Sequence, residues 1–390
     1  MNIRETKRTV LLVFYEPLMS GISRHIELIL QSVDQKEFEF YIIVASSDEK
    51  LIKRFSELIP PHHLMAVKPN RFFSWQGMMR LRSFLNNNRV DIIHLHNLQT
   101  LVWGYGGLLS ASAKVPILFT PHIDTRCGGW FEWLLRSLWR LCNPFTELLI
   151  ALTDEQKKWF HRYGITARSG VKVINNHLDL NQLVTSQTSV DSRQSKHDLF
   201  RDGWLTITQI GRLDRQKNPF MIVSAAKRLR EHLPKVQFLL IGDGPLQAQL
   251  TETIVRQGLE DHVILGGYRG DVGTIMKNSD IICLTSRWEG HPYVLLEAAA
   301  LKKPIVASDI AGNRSIIEEG KSGFLFQNIE DFTSRLSQLI QSPDLRNQLG
   351  LCAYQQNEKL FHTEHMGLCY HDIYRGNYQA RTHENEKELK

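Results

Sequence analysis

Several features are scarce in this sequence of 390 residues, and each scarcity excludes a class of protein. The five cysteines are odd in number and never form a Cys-x-x-Cys pair, which argues against a disulfide framework or a zinc site and favours reduced thiols. No run reaches the roughly 18 apolar residues of a membrane span. The apolar run at 9–15 is short for a signal peptide, and no small-residue cleavage site follows it. We interpret this run as a first buried strand.

The composition is that of an ordinary globular protein, with 42% hydrophobic and 23% charged residues. It excludes a disordered acidic chain and a collagen-like repeat. At roughly 150 residues per domain, the length predicts two or three domains. The formal net charge of +6 is uneven, because residues 1–183 hold 22 basic and 16 acidic side chains and the remainder holds 25 of each. The basic excess of the first half indicates an acidic partner.

Short apolar runs alternate with stretches of helical spacing along both halves of the chain. Runs that are apolar on both faces and separated by helices predict parallel sheets covered by helices, so the expected fold class is α/β. The predicted strands are 10–15, 38–45, 91–96, 117–120, 148–152 and 171–175 in the first half, and 205–210, 236–241, 263–265, 280–284, 304–308 and 323–326 in the second.

A change of composition separates the two halves. Residues 184–196 are polar and rich in Ser, Thr and Gln, which is typical of a linker or an exposed loop. We predict an amino-terminal Rossmann-like domain over 1–183, a linker over 184–200 and a carboxy-terminal domain over 201–365. A terminal helix over 366–380 could cross back to the first domain, and the charged residues 381–390 are expected to form a frayed tail.

Glycines and charges at the predicted strand ends mark candidate sites, because ligands of open α/β sheets bind at the carboxyl ends of the strands. Gly21 precedes the first helix, where free amides could face an anion, although a plain turn is the more frequent interpretation. Gly211 ends a strand and is followed by Arg212 and Lys217. A guanidinium and an ammonium there would suit a diphosphate, and a solvated basic loop is the alternative.

Two further stretches follow later strands. The turn Gly242-Asp-Gly-Pro lacks the third glycine of G-x-G-x-x-G, so it is a poor dinucleotide fingerprint. Glu297 is the one charge within a helical turn of Val, Leu and Ala, where an ionised carboxylate is costly unless a ligand, such as a pair of adjacent hydroxyls, binds it. Glu289 lies on the preceding loop, and for this residue an unrelated solvated carboxylate is a fair alternative.

These motifs resemble, in order and spacing, the retaining enzymes of glycosyltransferase family 4. In the second half, the likeness rests on the Arg212/Lys217 loop, the Gly-Asp-Gly-Pro turn and Glu289-x7-Glu297 followed by Pro-Ile-Val-Ala-Ser. In the first half the likeness is looser. It rests on two segments, Asp91-Ile-Ile-His94-Leu-His96-Asn97 and Phe119-Thr-Pro-His122. The resemblance implies the GT-B architecture, two facing Rossmann-like domains with parallel sheets, the first on the acceptor side and the second binding a nucleotide-sugar donor.

The resemblance also implies residue roles. Arg212 and Lys217 would bind the donor diphosphate, Glu297 the ribose hydroxyls, and Glu289 the donor sugar or its leaving phosphate. His122 would lie near the transferred sugar, whereas His94 and His96 are interpreted as structural. The expected catalytic residues are Arg212, Lys217, Glu289 and His122. The expected donor-binding residues are Gly21, Gly211, Gly290, His291, Tyr293, Val294 and Glu297.

The implied reaction moves a hexose-type sugar from a nucleotide-diphosphate sugar to an acceptor hydroxyl, with retention, in glycolipid, polysaccharide or other glycoconjugate synthesis. No cofactor or metal is expected, since Arg212 and Lys217 would take the metal's role and no Asp-x-Asp ends a strand. The sequence departs from the family at Pro292, which lacks an amide that could serve the phosphate. The alternatives are a GT-B epimerase, a sugar-phosphate synthase or a non-catalytic nucleotide-sugar binding protein. Nucleic acid is not an expected partner, because the basic residues are dispersed.

The segment at 126–144 bears on the acceptor. Glu132, Arg136 and Arg140 form one charged stripe, and three tryptophans lie within ten residues. Such a helix could lie in a membrane interface, or it could pack in the core with a salt-bridged stripe exposed. The first interpretation predicts a lipid-linked saccharide as acceptor and attachment to an anionic membrane. The expected location is cytoplasmic, at the inner face of that membrane.

Overall fold

The computed structural model describes residues 7–16, 21–69, 74–111, 114–122, 129–180, 183, 199–233 and 235–378, with the backbone alone for 129–135. The chain divides into two compact units, Met1–Asn176 with Thr363–Lys390, and His177–His362. The first unit thus ends before the predicted boundary at 183, and the chain returns to it at Thr363. The predicted linker at 184–200 and the tail at 381–390 lie almost wholly outside the described residues.

The first unit contains one parallel sheet. Its strands are β1 (Arg8–Tyr15), β2 (Phe38–Ala45), β3 (Leu64–Val67), β4 (Ile92–His96), β5 (Ile117–Thr120), β6 (Leu148–Ala151) and β7 (Val171–Val173). They lie in the order β3-β2-β1-β4-β5-β6-β7. The α-helices between them are α1 (Gly21–Ser32), α2 (Glu49–Ser56), α3 (Trp75–Asn87), α4 (Gln99–Leu109), α5 (Gly129–Cys142) and α6 (Asp154–Arg162), and short 3-10 turns occur at Pro61–His63 and Asn143–Phe145.

The second unit repeats this arrangement. Its strands are β8 (Leu205–Ile210), β9 (Val236–Ile241), β10 (Val263–Gly267), β11 (Ile281–Leu284), β12 (Ile305–Ser308) and β13 (Phe324–Phe326), in the order β10-β9-β8-β11-β12-β13. The helices are α7 (Phe220–Leu229), α8 (Gln247–Arg256), α9 (Val272–Asn278), α10 (Tyr293–Ala300), α11 (Ala311–Arg314), α12 (Ile329–Gln341) and α13 (Pro343–Asn357), with a 3-10 turn at Glu358–Phe361.

The strands form where the sequence is apolar on both faces. In β1, Val10 to Phe14 are fully buried, because helices cover both sides of a parallel sheet. Every run predicted as a strand forms one, and the α/β class is confirmed. The structure adds β3, which was not predicted. It is a short edge strand of four apolar residues, of which only Val67 is buried.

Each sheet has a point where the strand order reverses, and this is where open α/β sheets bind ligands. In the first unit this point lies between β1 and β4, and in the second between β8 and β11. The segments that leave these four strands therefore begin side by side within each sheet. They begin at Glu16, Asn97, Gly211 and Thr285.

The last helix among the described residues is α14 (Glu364–Tyr374), which packs against α1 of the first unit. A Cβ on Gly367 would lie 2.5 Å from the carbonyl oxygen of Ser32, so the helices approach closely only because this residue is glycine. Arg375 just beyond the helix donates to Glu37. None of the helices among the described residues has the length and apolarity to cross a membrane.

Candidate functional site

The loop after β8 rests on the turn after β9. Gly211 has φ +150° and Gly242 has φ +129°, a backbone region that favours glycine. A Cβ on Gly242 would lie 2.2 Å from the carbonyl oxygen of Gly211, and one on Gly244 would lie 2.4 Å from that of Leu213. The Gly-Asp-Gly-Pro turn therefore supports the backbone of the loop that carries Arg212 and Lys217.

Lys217 forms an ion pair with Glu289. Its Nζ donates to Oε1 of Glu289 at 2.5 Å, and only 16% and 9% of the two side chains are exposed. The backbone N–H of Lys217 donates to Asp214 at 3.0 Å. Its carbonyl oxygen accepts from Thr285 Oγ1 at 2.9 Å and from Gln209 Nε2 at 3.0 Å. The lysine is thus fixed by both strands of the switch point, β8 through Gln209 and β11 through Thr285.

Two further hydrogen bonds join the loops after β8 and β11. Gln216 Nε2 donates to the carbonyl oxygen of Trp288 at 3.0 Å, and the N–H of Arg287 donates to the carbonyl oxygen of Gln216 at 2.8 Å. The loop after β11 also lies against helix α11. A Cβ on Gly312 of that helix would be 2.6 Å from the carbonyl oxygen of Glu289. The Lys217–Glu289 pair therefore sits between two segments that hold each other in register.

Arg212 is placed differently from Lys217. Its guanidinium lies 2.9 Å from Asp214 Oδ2, and 45% of the side chain is exposed. A weaker hydrogen bond runs from Nη2 to Gln216 Oε1 at 3.4 Å. The loop thus offers one enclosed and one exposed cation within the same turn, an arrangement that suits an anion arriving from solvent.

The remaining residues predicted to bind the donor lie along the chain after Glu289. His291 and Tyr293 are buried, Gly290 and Val294 are half-buried, and Glu297 is buried within α10 with 6% exposure. Pro292 is the residue before α10 and has no side chain that caps the helix. The structure places this set in one loop–helix segment next to the Lys217–Glu289 pair, and its contacts with a donor remain a prediction.

In the first unit, Gly21 is the first residue of α1 and is exposed. His122 follows β5 and has φ +56°. Its Nε2 lies 3.0 Å from Nδ1 of His96, which ends β4. The edge of His25 from α1 packs against His122 with 4.8 Å between ring centroids. The sequence singled out His122 and led us to interpret His96 as structural, but it gave no role to His25.

Four histidines, His25, His94, His96 and His122, form a cluster. Its hydrogen-bond partners come from distant parts of the chain. His25 contacts Asn176 Oδ1 and the Tyr370 hydroxyl, each at 2.8 Å. His94 contacts the Tyr374 hydroxyl at 2.9 Å and Thr120 Oγ1 at 2.8 Å. Burial, followed by the nearby histidines, lowers the pKa of His94, His96 and His122 well below the usual value, so these rings are neutral near pH 7.

Neutral imidazoles are metal ligands, and the nitrogens of His25, His96 and His122 lie within 4.8 Å of one another. The hydrogen bonds speak against a metal ion, however. Both ring nitrogens of His25 already have oxygen partners, and His96 and His122 contact each other directly. A metal would have to displace these bonds, so we interpret the cluster as a hydrogen-bonded group.

The carboxy-terminal half of α5 packs in the core. Trp139 is 3% exposed and its ring lies against Phe119 and Phe160. The guanidinium of Arg136 stacks over the ring of Tyr163 at 3.5 Å, and Arg140 donates to the Tyr163 carbonyl oxygen at 2.6 Å. The core interpretation is supported by the buried Trp139, but the described part of the charged stripe contacts Tyr163. Glu132, the expected salt-bridge partner, lies outside the described side chains.

Comparison with known proteins gives matches along both units. Residues 19–182 match the family model described as Glycosyltransferase Family 4, and residues 191–356 match the one described as Glycosyl transferases group 1. The UDP-Gal:alpha-D-GlcNAc-diphosphoundecaprenol alpha-1,3-galactosyltransferase of Escherichia coli is 26% identical over 346 residues, which cover 84% of this chain and 86% of that protein. The amylovoran biosynthesis glycosyltransferase AmsD of Erwinia amylovora is 28% identical over 228 residues, 58% of this chain and 62% of that protein.

Among solved structures, Anabaena Alr3699/HepE in complex with UDP-glucose superposes with a TM-score of 0.79 at 21% identity, covering 94% of this chain and 99% of that one. A sucrose-phosphate synthase from Thermosynechococcus elongatus gives 0.75 at 14% identity, covering 95% and 99%. Likeness at this level of identity shows the fold. The predicted GT-B class is confirmed.

Proposed function

Because this chain belongs to the group 1 glycosyltransferases of family 4, we propose that it transfers a hexose-type sugar from a nucleotide-diphosphate sugar to an acceptor hydroxyl, with retention of configuration. It is a glycosyltransferase that uses a nucleotide sugar in glycoconjugate synthesis. The proposal of hexose transfer with retention is supported by one observation. The enclosed Lys217–Glu289 pair lies beside the exposed Arg212, at the switch point of the second sheet.

The proposed reaction requires that the negative charge of the leaving group be stabilised. As the bond between the anomeric carbon and the phosphate oxygen breaks, negative charge develops on the diphosphate. Lys217 and Arg212 stabilise this charge. Because their positions are fixed before the reaction, no reorganisation is needed as the charge develops, and such preorganisation is usually the largest contribution to electrostatic catalysis. The acceptor oxygen forms its new bond on the face the phosphate leaves, and its proton passes to the departing phosphate oxygen. Because the two cations supply the positive charge, we also propose that no metal is required.

The galactosyltransferase relative from Escherichia coli is named for a sugar–diphosphoundecaprenol acceptor. We propose an acceptor of that class, a saccharide linked through diphosphate to a polyprenol. The basic excess of the first half, 22 basic against 16 acidic side chains up to residue 183, favours such an anionic lipid.

Helices α3 and α4 carry exposed apolar side chains that support a proposal of membrane attachment. The two helices pack along a glycine seam, where a Cβ on Gly106 would lie 2.8 Å from Met78 Sδ. On these two helices, α3 exposes 63% of Trp75, and α4 exposes 43% of Val102 and 66% of Leu109. Exposed tryptophan and aliphatic side chains suit the interface of a bilayer, and we propose that these helices attach the enzyme to the cytoplasmic side of an anionic membrane.

A turnover assay tests the function. The full chain is incubated with UDP-glucose, UDP-galactose, UDP-N-acetylglucosamine or GDP-mannose, with and without N-acetylglucosaminyl diphosphoundecaprenol. We expect nucleoside diphosphate release that depends on the acceptor, with an α-linked product by NMR and no loss of rate in EDTA. Product without any acceptor would indicate an epimerase, consumption of soluble sugar phosphate a synthase, and saturable donor binding without turnover a binding protein.

Vesicle sedimentation tests the membrane surface. Vesicles of phosphatidylcholine with phosphatidylglycerol should retain the protein at low salt and release most of it at high salt. Replacement of Trp75 and Leu109 by serine should weaken retention, whereas Val255→Ser, a change at a 56% exposed apolar residue of the second unit, should not. No retention of the unaltered protein at low salt would refute membrane attachment.

A further inference from the structure

His122 is held in a conformation that its backbone alone does not favour. Its φ of +56° lies in the left-handed region, which costs a non-glycine residue of order 1–3 kcal/mol and persists only where surrounding contacts fix it. The contact that fixes the ring is the 3.0 Å hydrogen bond between His122 Nε2 and His96 Nδ1. His96 itself is fully buried on β4.

The direction of this bond follows from a proton count. A neutral imidazole carries one N–H, so either ring can donate, and the donor's other nitrogen is then an acceptor. The Nε2 of His96 is buried and has no hydrogen-bond partner among the described residues. If His122 donated, that Nε2 would carry a buried N–H without an acceptor, which is the rarer and costlier arrangement. The favoured arrangement has His96 Nδ1–H donating to His122 Nε2.

We infer that His96 is a positioning residue that fixes His122 as the tautomer protonated at Nδ1, so that His122 presents an N–H donor and not a base to the substrate. The lone pair on His122 Nε2 is occupied by His96, which leaves Nδ1–H as its available polar group. This N–H group can donate a hydrogen bond to a hydroxyl or phosphate oxygen of the nucleotide sugar. The inference rests on the proposed function for the substrate's identity, but the tautomer itself is a property of the free protein.

The neighbouring rings leave little freedom for a different arrangement. His94 lies 3.9 Å from His96 between ring centroids and is fixed on both nitrogens, by Thr120 and by Tyr374 of α14. His25 packs its edge against His122 and is fixed on both nitrogens as well. The terminal helix therefore contributes hydroxyl groups that hold the second layer of the cluster, and the lowered pKa values of His94, His96 and His122 keep their rings neutral.

Three substitutions at His96 separate positioning from packing. Asparagine places its amide N–H close to the position of Nδ1–H, glutamine places it where Nε2 was, and leucine fills the volume without a donor. We expect His96→Asn to keep kcat within about threefold, and His96→Leu and His96→Gln to lose at least about tenfold, since a misplaced histidine tautomer can cost up to about 10⁴ in kcat. The KM for the nucleotide sugar should change little, because Lys217 and Arg212 are untouched.

The tautomer is measured directly by long-range ¹H–¹⁵N NMR of histidine-labelled full chain, with His122→Asn used to assign the His122 signals. Protonation at Nδ1 in the unaltered protein, lost in His96→Leu, is the expected result, and it can be read even if no turnover is found. Protonation at Nε2, equal kcat losses in all three variants at equal thermal stability, or a requirement for Zn²⁺ that EDTA removes would each overturn the inference.

Discussion

Replacing Lys217 by methionine separates the structural and catalytic roles of the enclosed ion pair. Methionine keeps the aliphatic length but removes the charge, which leaves the carboxylate of Glu289 with 9% exposure and without its cation. Breaking a buried pair in this way costs about 3–5 kcal/mol, and the 16% exposure of Lys217 lowers our expectation to about 2–3 kcal/mol. At about 2–4 °C per kcal/mol for a unit of this size, Tm should fall by about 4–12 °C.

The double variant K217M/E289Q removes both charges. Because no carboxylate is then left buried alone, most of the lost stability should return, and the coupling energy from the double-mutant cycle should be about 2 kcal/mol. Turnover should behave in the opposite way. Lys217→Met should reduce kcat at least about 100-fold, and the double variant should not recover it, since the diphosphate still lacks its cation.

Calorimetry of the unligated protein and steady-state release of nucleoside diphosphate measure the two effects separately. Matched protein preparations of the unaltered chain, both single variants and the double variant complete the cycle. Unchanged Tm in Lys217→Met would refute the burial argument. Near-normal turnover in Lys217→Met, or recovery of turnover in the double variant, would refute the role of Lys217 at the leaving group.

Three other outcomes follow from the described contacts. Arg212→Ala should cut turnover at least about 100-fold with Tm unchanged, because the side chain is 45% exposed, and the surface control Arg228→Ala should change neither. Gly242→Ala should lower the urea midpoint far more than Gly258→Ala: a Cβ at Gly242 meets a carbonyl oxygen at 2.2 Å, whereas at Gly258 the nearest atom is 3.9 Å away and only the cost of positive φ, about 1–2 kcal/mol, remains. Burial raises the pKa of the Cys283 thiol, so this residue should resist a thiol reagent at pH 8 until the protein is unfolded; labelling in the native state would contradict its burial.

The fold was predictable because parallel strands covered on both faces leave a strong apolar signal. Residues 236–241 are all buried in β9, and of the twelve predicted strands only the edge strands β7 and β10 are mostly half-buried. β3 was missed although its four residues, Leu64 to Val67, are all apolar; as an edge strand it buries only Val67. The return of the chain to the first unit was anticipated for a terminal helix over 366–380, and it occurs at Thr363.

The candidate site was predictable in part. The spacing of Arg212, Lys217 and Glu289 pointed to one locus, and the structure brings the last two into contact. The same pattern could not reveal why Gly242 is needed, since its role is to let two backbones approach. A turn that looked weak as a nucleotide fingerprint is in fact the support for the loop that carries both cations.

Backbone strain supplies a signal for the site that is independent of any motif. Four non-glycine residues of the described chain have positive φ, and three of them are or directly follow candidate residues: Asn97 after His96 and His122 itself in the first unit, and Asn218 after Lys217 in the second. Such conformations persist where surrounding contacts over-determine them, which is common at functional sites. Each of the three is held by hydrogen bonds that join neighbouring strands or loops, as when Thr285 Oγ1 donates to the Asn218 carbonyl oxygen at 3.0 Å. The sequence shows the residue types at these strand ends, but the strain arises only when segments distant in the chain meet within each unit.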